Sequence, residues 1–239
     1  MKYEERTYRD WVGCDDLVGF QAVVGETDLS IFAESALKQL AIESIKRYRG
    51  EIEDYIKFDP QFKDSLVPID LNRPAPEIVE EMVIASKKAG VGPMAAIAGA
   101  VAEFVGRDLL KRSDQIIVEN GGDIFIKVSR ERKLGVFAGE SPLSGKISFK
   151  ITPDMTPCGI CASSGTVGHS LSFGKADAAI IFAKDAIFAD AVATATGNVV
   201  KCSDDIEKGI EFAKSIEGVF GVCIIVGERI GNWGKIELI

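Results

Sequence analysis

Residues able to do chemistry are densest between Cys158 and Asn198, which read CGICASSGTVGHSLSFGKADAAIIFAKDAIFADAVATATGN. Asp190 and Thr194 stand four apart and would share one face of a helix. Ala189, Ala191, Val192, Ala193 and Ala195 surround them and mark that helix as buried nearly all round. A buried carboxylate without a partner is costly, so Asp190 must be paired in a hydrogen-bond network, cap a backbone or hold a metal. The oxygen-only donors suit a hard cation such as magnesium, which takes few protein ligands and completes its shell with water and phosphate oxygens.

Ser163-Ser164-Gly165-Thr166 has the small residues of a loop that exposes backbone N–H groups to an anion, although it lacks the lysine of a P-loop. The same residues also suit an ordinary turn. His169 is the single histidine, placed either to orient a phosphate and move a proton or to serve as a structural hydrogen-bonding group. No second histidine completes a zinc site, and no acid is spaced for a Ser-His-Asp triad. Cys158 and Cys161 have the spacing of a redox pair but precede no clear helix, so structural thiols are the competing reading. Upstream, Glu119-Asn120-Gly121-Gly122-Asp123 lies between two apolar runs, which suits either a hairpin turn or a close backbone approach to a ligand.

Composition narrows the classes. A net charge of -8 with one histidine leaves no basic stripe for nucleic acid. An anionic ligand would therefore need a divalent cation or a helix N-terminus to draw it in. The most apolar window, Val91 to Val105, is broken by Glu103 and is shorter than the roughly 20 residues of a bilayer span. The opening MKYEERTYRDW carries no apolar targeting core, and the five cysteines are scattered and odd in number. A cytoplasmic protein with reduced thiols is the expectation.

The elements that must position these residues follow from periodicity. Residues 5–31 alternate in short runs as a small antiparallel meander, and Ile31 to Phe58 carry helical spacing, broken near Gly50. An irregular, proline-containing connection over residues 60–76 is the weakest internal boundary. Helices are predicted over Pro76–Ala89, from Pro93 to about Leu110, over Asp185–Thr196 and over Asp204–Ile216. Strands are predicted on either side of the double glycine, in KLGVFAG and KISFKI, over Ala178–Phe182, and twice in the terminal VFGVCIIVGERIGNWGKIELI. Adjacent strand pairs among irregularly placed helices point to an α+β fold with a mixed or largely antiparallel sheet, packed helices and two interlocked halves.

Three stretches in order, MAAIAGAVAE, VENGGDIFI and SSGTVGHSLSFGKADAAIIFAKDAIFADAVATA, resemble the ApbE-like superfamily, the FAD:protein FMN transferases. That family has a GIAKGYAVD-like helix start, a NAGGDI turn, an SG...H loop and an ADALATA helix in the same sequence order. The resemblance runs from about Gly92 to Asn198, is closest to a short branch without a lipobox, and implies one ApbE-like domain over residues 1–239. It also implies magnesium held by Asp190, Thr194 and a carbonyl near Ala98, with FAD approached by Asn120, Gly121, Gly122, Asp123, Ser164, Gly165, Thr166 and His169. His169 and Asp190 would be the catalytic pair, and a target protein's threonine hydroxyl would take the FMN as a phosphoester. Gly99 stands where that family has a lysine. Two alternatives accompany this reading: a sulfur-assimilation or homocysteine-forming protein using Cys158 and Cys161, and a non-catalytic flavin-binding or assembly subunit, with homo-oligomerisation open. Membranes and nucleic acids are not expected partners.

Overall fold

The computed structural model describes residues 15–166 and 173–239. The first half holds β1 (Val18–Val24), β2 (Thr27–Ala33), α1 (Lys38–Phe58), α2 (Pro60–Asp64), α3 (Glu77–Ala89), α4 (Ile97–Leu109), β3 (Ile116–Asn120) and β4 (Asp123–Lys127). The second holds β5 (Arg132–Gly135), β6 (Ser148–Ile151), β7 (Cys158–Ser163), β8 (Ala178–Ala183), α5 (Ala186–Val199), α6 (Ile206–Lys214), β9 (Val219–Val226), β10 (Arg229–Gly234) and β11 (Glu237–Leu238). An eight-stranded sheet runs β1-β2-β3-β4-β7-β8-β9-β10, and a three-stranded sheet runs β11-β6-β5. Every strand pair among the described residues is antiparallel, as the α+β reading expected.

Side-chain alternation divides the core between the two faces of the large sheet. Val118, Phe125, Cys161, Ile181 and Ile224 turn toward the helices. Their chain neighbours Ile117, Ile126, Ile160, Phe182 and Ile225 turn toward the small sheet. Phe149 of β6 meets Phe182 of β8 edge to face at 4.8 Å, which ties the two sheets together. All the helices thus lie on one face, where α4 and α5 cover the middle strands.

Several expectations are corrected. Ile31 belongs to β2 and not to a helix, because Leu29, Ile31 and Ala33 bury alternate positions against the helical layer. The helix that follows begins only at Lys38 and passes Gly50 unbroken, since that glycine faces open space and imposes no packing constraint. The proline-containing connection holds a short helix, α2, whose Phe62 is fully buried against Tyr55. The chain terminus forms three strands, with the turn at Gly227 and β11 crossing to the small sheet. The run TYRDWV of the expected meander lies outside the described residues. No single helix among the described residues is long and apolar enough to cross a membrane.

Candidate functional site

The β3–β4 hairpin turns at Gly121 and Gly122, whose φ angles of 68° and 105° are open to glycine and strained for other residues. Asn120 and Asp123 pair across this turn. The Gly122 N–H donates to the buried Glu119 carboxylate at 2.8 Å, closing the bend from within. Asn120 reaches outward, its Nδ2 donating to the Ala98 carbonyl at 3.0 Å. Asp123 is buried and accepts from the Ala162 N–H of β7 at 3.3 Å. The hairpin therefore spans from the entry of α4 to β7.

Helices α4 and α5 meet at their N-terminal halves, and each supplies an acid to the other. Asp190 Oδ2 accepts from the Gly99 N–H at 2.8 Å, and Glu103 Oε2 accepts from the Ala186 N–H at 2.5 Å. Both acids thereby occupy orphan donors in a first helical turn, where the helix dipole favours negative charge. Arg107 clamps Glu103 and also holds Glu81 through paired bonds of 2.8 and 2.9 Å. The helices can approach this closely because residue 99 is glycine: a Cβ there would lie 2.2 Å from the Ala186 carbonyl oxygen and 2.8 Å from Asp190 Cβ. No lysine fits at this position in the observed packing. Asp185 caps α5 locally, accepting from the Phe188 N–H at 2.7 Å.

Thr194 lies one turn beyond Asp190 and is half-buried, as are Ala98 and Asn120. Burial pushes the Asp190 carboxyl up to about 7, against the bonds from Gly99 and Ala98 that pull it down. Asp123 is raised well above its ordinary value by burial first and by the charge of Asp190 second. Burial also raises the Cys161 thiol, with the charges of Asp123 and Asp190 adding to it. No lysine or arginine forms an ion pair with Asp123 or Asp190 among the described residues. Asp123 and Asp190 are thus both desolvated, with no lysine or arginine partner among the described residues.

The Ser163–Thr166 loop is differently built from an open cradle. The Gly165 N–H donates to the Ala176 carbonyl at 2.8 Å, and the Thr166 N–H to Ser164 Oγ at 3.1 Å. Asp177 accepts from the Thr166 hydroxyl at 2.8 Å and from the Gly227 N–H at 2.7 Å, fixing the loop to the β9–β10 turn. These donors are occupied by the protein itself. His169 lies outside the described residues.

Cys158 and Cys161 do not form a pair. They sit three apart on β7, so Cys158 faces the small sheet and Cys161 the helices. At about 3.3 Å per residue their Cα atoms are about 10 Å apart, beyond the about 7 Å that a disulfide spans. Cys161 Sγ instead lies 3.3 Å from the Ala186 carbonyl oxygen, and both thiols are buried.

The structure therefore brings Ala98, Asn120, Gly121, Gly122, Asp123 and Asp190 to one place, with Thr194 one turn away. Two grooves, of about 540 and 360 Å³, lie instead between α1 and the C-terminal end of α4, lined in common by Arg47, Asp108 and Lys111. Both are open, and neither reaches Asp190. Among the described residues, no group of three or more histidine, cysteine, aspartate or glutamate side chains is placed to hold a metal. A cation at Asp190 would depend on hydroxyl and carbonyl oxygens. Sequence reasoning missed Glu103 as a functional partner of α5, although a lone acid within an apolar helix is itself a signal that a partner exists.

The fold, an antiparallel sheet with its helices on one face, is that of the ApbE-like superfamily. The chain belongs to that superfamily: the family described as AbpE bacteria matches residues 9–225. Its relatives include a UPF0280 protein of Methanococcus aeolicus, 46% identical over 202 residues and covering 82% of each chain. Another, from Methanospirillum hungatei, is 43% identical and covers 90% of this chain and 86% of its own. Among solved structures, the Pseudomonas stutzeri flavinyl transferase ApbE in its apo form superposes with a TM-score of 0.61 at 12% identity, covering 91% of this chain and 94% of its own. The ApbE protein of Thermotoga maritima gives 0.55 at 14% identity, covering 90% and 96%. At such identities these likenesses speak for the fold.

Proposed function

We propose that the chain binds FAD beside the β3–β4 hairpin, through a magnesium ion held by Asp190, Thr194 and the Ala98 carbonyl. The observation that carries this reading is the desolvated pair of Asp123 and Asp190, which lacks any protein cation among the described residues. Carboxylate, hydroxyl and carbonyl oxygens are the donor types a hard cation takes. Asp190 accepts from the Gly99 N–H, and the Ala98 carbonyl lies within α4 and accepts from Asn120, so the ion would share these oxygens with protein donors. When bound, the ion would neutralise diphosphate charge and so favour nucleophilic attack at phosphorus. Asn120 and the glycine turn would set the nucleotide's approach, while Asp123 and Asp190 would hold the charge that balances the ion.

The transfer reaction that the family resemblance suggests is acceptance of FMN by a protein hydroxyl. The hydroxyl oxygen bonds to the FMN phosphorus, the bond to the AMP oxygen breaks, AMP leaves, and the hydroxyl proton passes to a base. Gly99 in place of lysine and the occupied donors of the Ser163–Thr166 loop favour a second reading, flavin binding without transfer. The separation of Cys158 from Cys161 gives no support to chemistry by a thiol pair.

Titrating FAD by fluorescence quenching, with and without magnesium, tests the binding site. Metal-dependent binding that weakens at least about tenfold in Asp190→Ala is expected. Binding indifferent to both magnesium and that substitution would reject the site. Incubating the protein with FAD and a threonine-containing acceptor peptide, followed by mass measurement, separates transfer from binding alone.

A further inference from the structure

We infer that the groove between α1 and the C-terminal end of α4 binds a phosphate group through Arg47, Lys111 and Arg112. This site lies apart from the hairpin and from Asp190 and is independent of the flavin reading. Its volume of about 540 Å³ suits a small anionic molecule.

Asp108 organises the groove. Its side chain is only 9% exposed, and it accepts from Ser44 Oγ at 2.9 Å, from Tyr48 OH at 3.1 Å, from Lys111 Nζ at 2.8 Å and from Arg47 Nη2. One acid thus fixes two cations. Arg47 also lies over the Tyr48 ring, 4.3 Å from its centroid, which sets the plane of the guanidinium. Only Nη2 is spent on these bonds, while the side chain is 52% exposed and keeps Nε and Nη1 for a ligand. Lys111 is 72% exposed and has donors to spare. Arg112 lines the same groove and forms no ion pair among the described residues.

Charge decides the occupant. Three cations line the groove against two acids, Asp108 and Glu43, and Glu43 accepts from Gln39 at 2.9 Å. The first turn of α1 supplies no acid of its own. In a chain of net charge -8 this excess is local. Arg47 enters from α1, while Lys111 and Arg112 follow the end of α4, so donors reach the groove from two elements. A tetrahedral phosphate can accept from several directions at once, which a planar carboxylate cannot. The adjoining groove shares Arg47 and Lys111 but carries Glu51 and Glu77, which repel phosphate and leave its space to the organic part of an ester.

Isothermal titration calorimetry of the full chain at constant ionic strength tests the site, with inorganic phosphate, phenyl phosphate and succinate as probes. Arg112→Gln is the first variant, because its guanidinium holds no ion pair in the fold, and Lys111→Gln is the second. One phosphate per chain is expected, weakened about two- to fivefold by each substitution, the range of an exposed ion pair, and unchanged in Asp190→Ala. Phenyl phosphate binding more tightly would identify an ester as the ligand, and equal affinity the free ion. Absence of binding at about 10 mM phosphate, or full affinity in both folded variants, would overturn the site and leave the cations to offset the carbonyl pole of α4. Succinate bound as tightly as phosphate, or phosphate lost in Asp190→Ala, would overturn it equally.

Discussion

Replacing Asp190 by asparagine should make the metal-free protein more stable at neutral pH, although the residue is buried and hydrogen-bonded. Below about pH 4 the carboxyl is protonated in both folded and unfolded chains, and its burial costs little. Above that, the unfolded aspartate ionises near 3.8, while the folded one retains its proton until about 7. Over this window the folded state binds more protons than the unfolded, so stability falls as pH rises. The interval corresponds to about 4 kcal/mol at 1.36 kcal/mol per pH unit, and structural relaxation brings the expected loss to about 2–4 kcal/mol. Asp123, Glu103 and Asp185 are raised in the same sense and add to the slope. Asp16, Asp70 and Asp154 have lowered values and act only below the window. The substituted asparagine would be neutral and still able to accept from the Gly99 N–H, and it would relieve Asp123 of a like charge. Urea unfolding at pH 4.5 and 7.5, with chelator present, should show near equality at the lower pH. At the higher, the variant should gain about 1–3 kcal/mol. A variant less stable than wild type at pH 7.5, or a wild-type stability that rises across the window, would refute the desolvation argument.

Two further outcomes follow from packing. Gly99→Ala should lower stability by about 1–3 kcal/mol, the usual cost of overpacking, because its Cβ would meet the Ala186 carbonyl at 2.2 Å. Thermal denaturation measures it, and a melting temperature equal to wild type would show that α4 and α5 separate easily. Iodoacetamide should label Cys202 in the native protein and leave Cys158, Cys161 and Cys223 unmodified until urea is added. Burial raises the thiols of Cys158 and Cys223 to about 12, so even solvent entry would find little thiolate. Peptide mapping that finds native Cys161 alkylated would show an open path to the acid pair.

Local signals carried much of this architecture. Gly90 stops α3 in the left-handed region with φ 75°, as its place after Ala89 suggested, and Asp185 caps α5 where the pattern begins. The glycine pair between IIV and IFIKV is the hairpin itself. Two strands are hard to read because their composition misleads. The residues TDLSIFA run into a helical pattern, and CGICAS draws the eye to its thiols when it is an interior strand buried on both faces. The bond from Gly99 to Asp190 spans 91 positions, and nothing local to either residue encodes it. The sequence marked Asp190 as a carboxylate needing a partner, while the partner depended on tertiary contact.

That partner bears on how the proposed cation would bind. The first turns of α4 and α5 lie side by side, so two positive helix ends converge where Asp190 and Glu103 supply negative charge. Helix N-termini favour anions, and a divalent cation alone must compete there with N–H donors already bonded to the carboxylate. On the proposed reading, a diphosphate brought in with the ion would change the balance, because the positive helix ends favour its negative charge. The carboxylate would then have to serve the backbone N–H groups of α4 and the ion together. By reciprocal linkage, magnesium should strengthen FAD binding by the factor with which FAD strengthens magnesium binding.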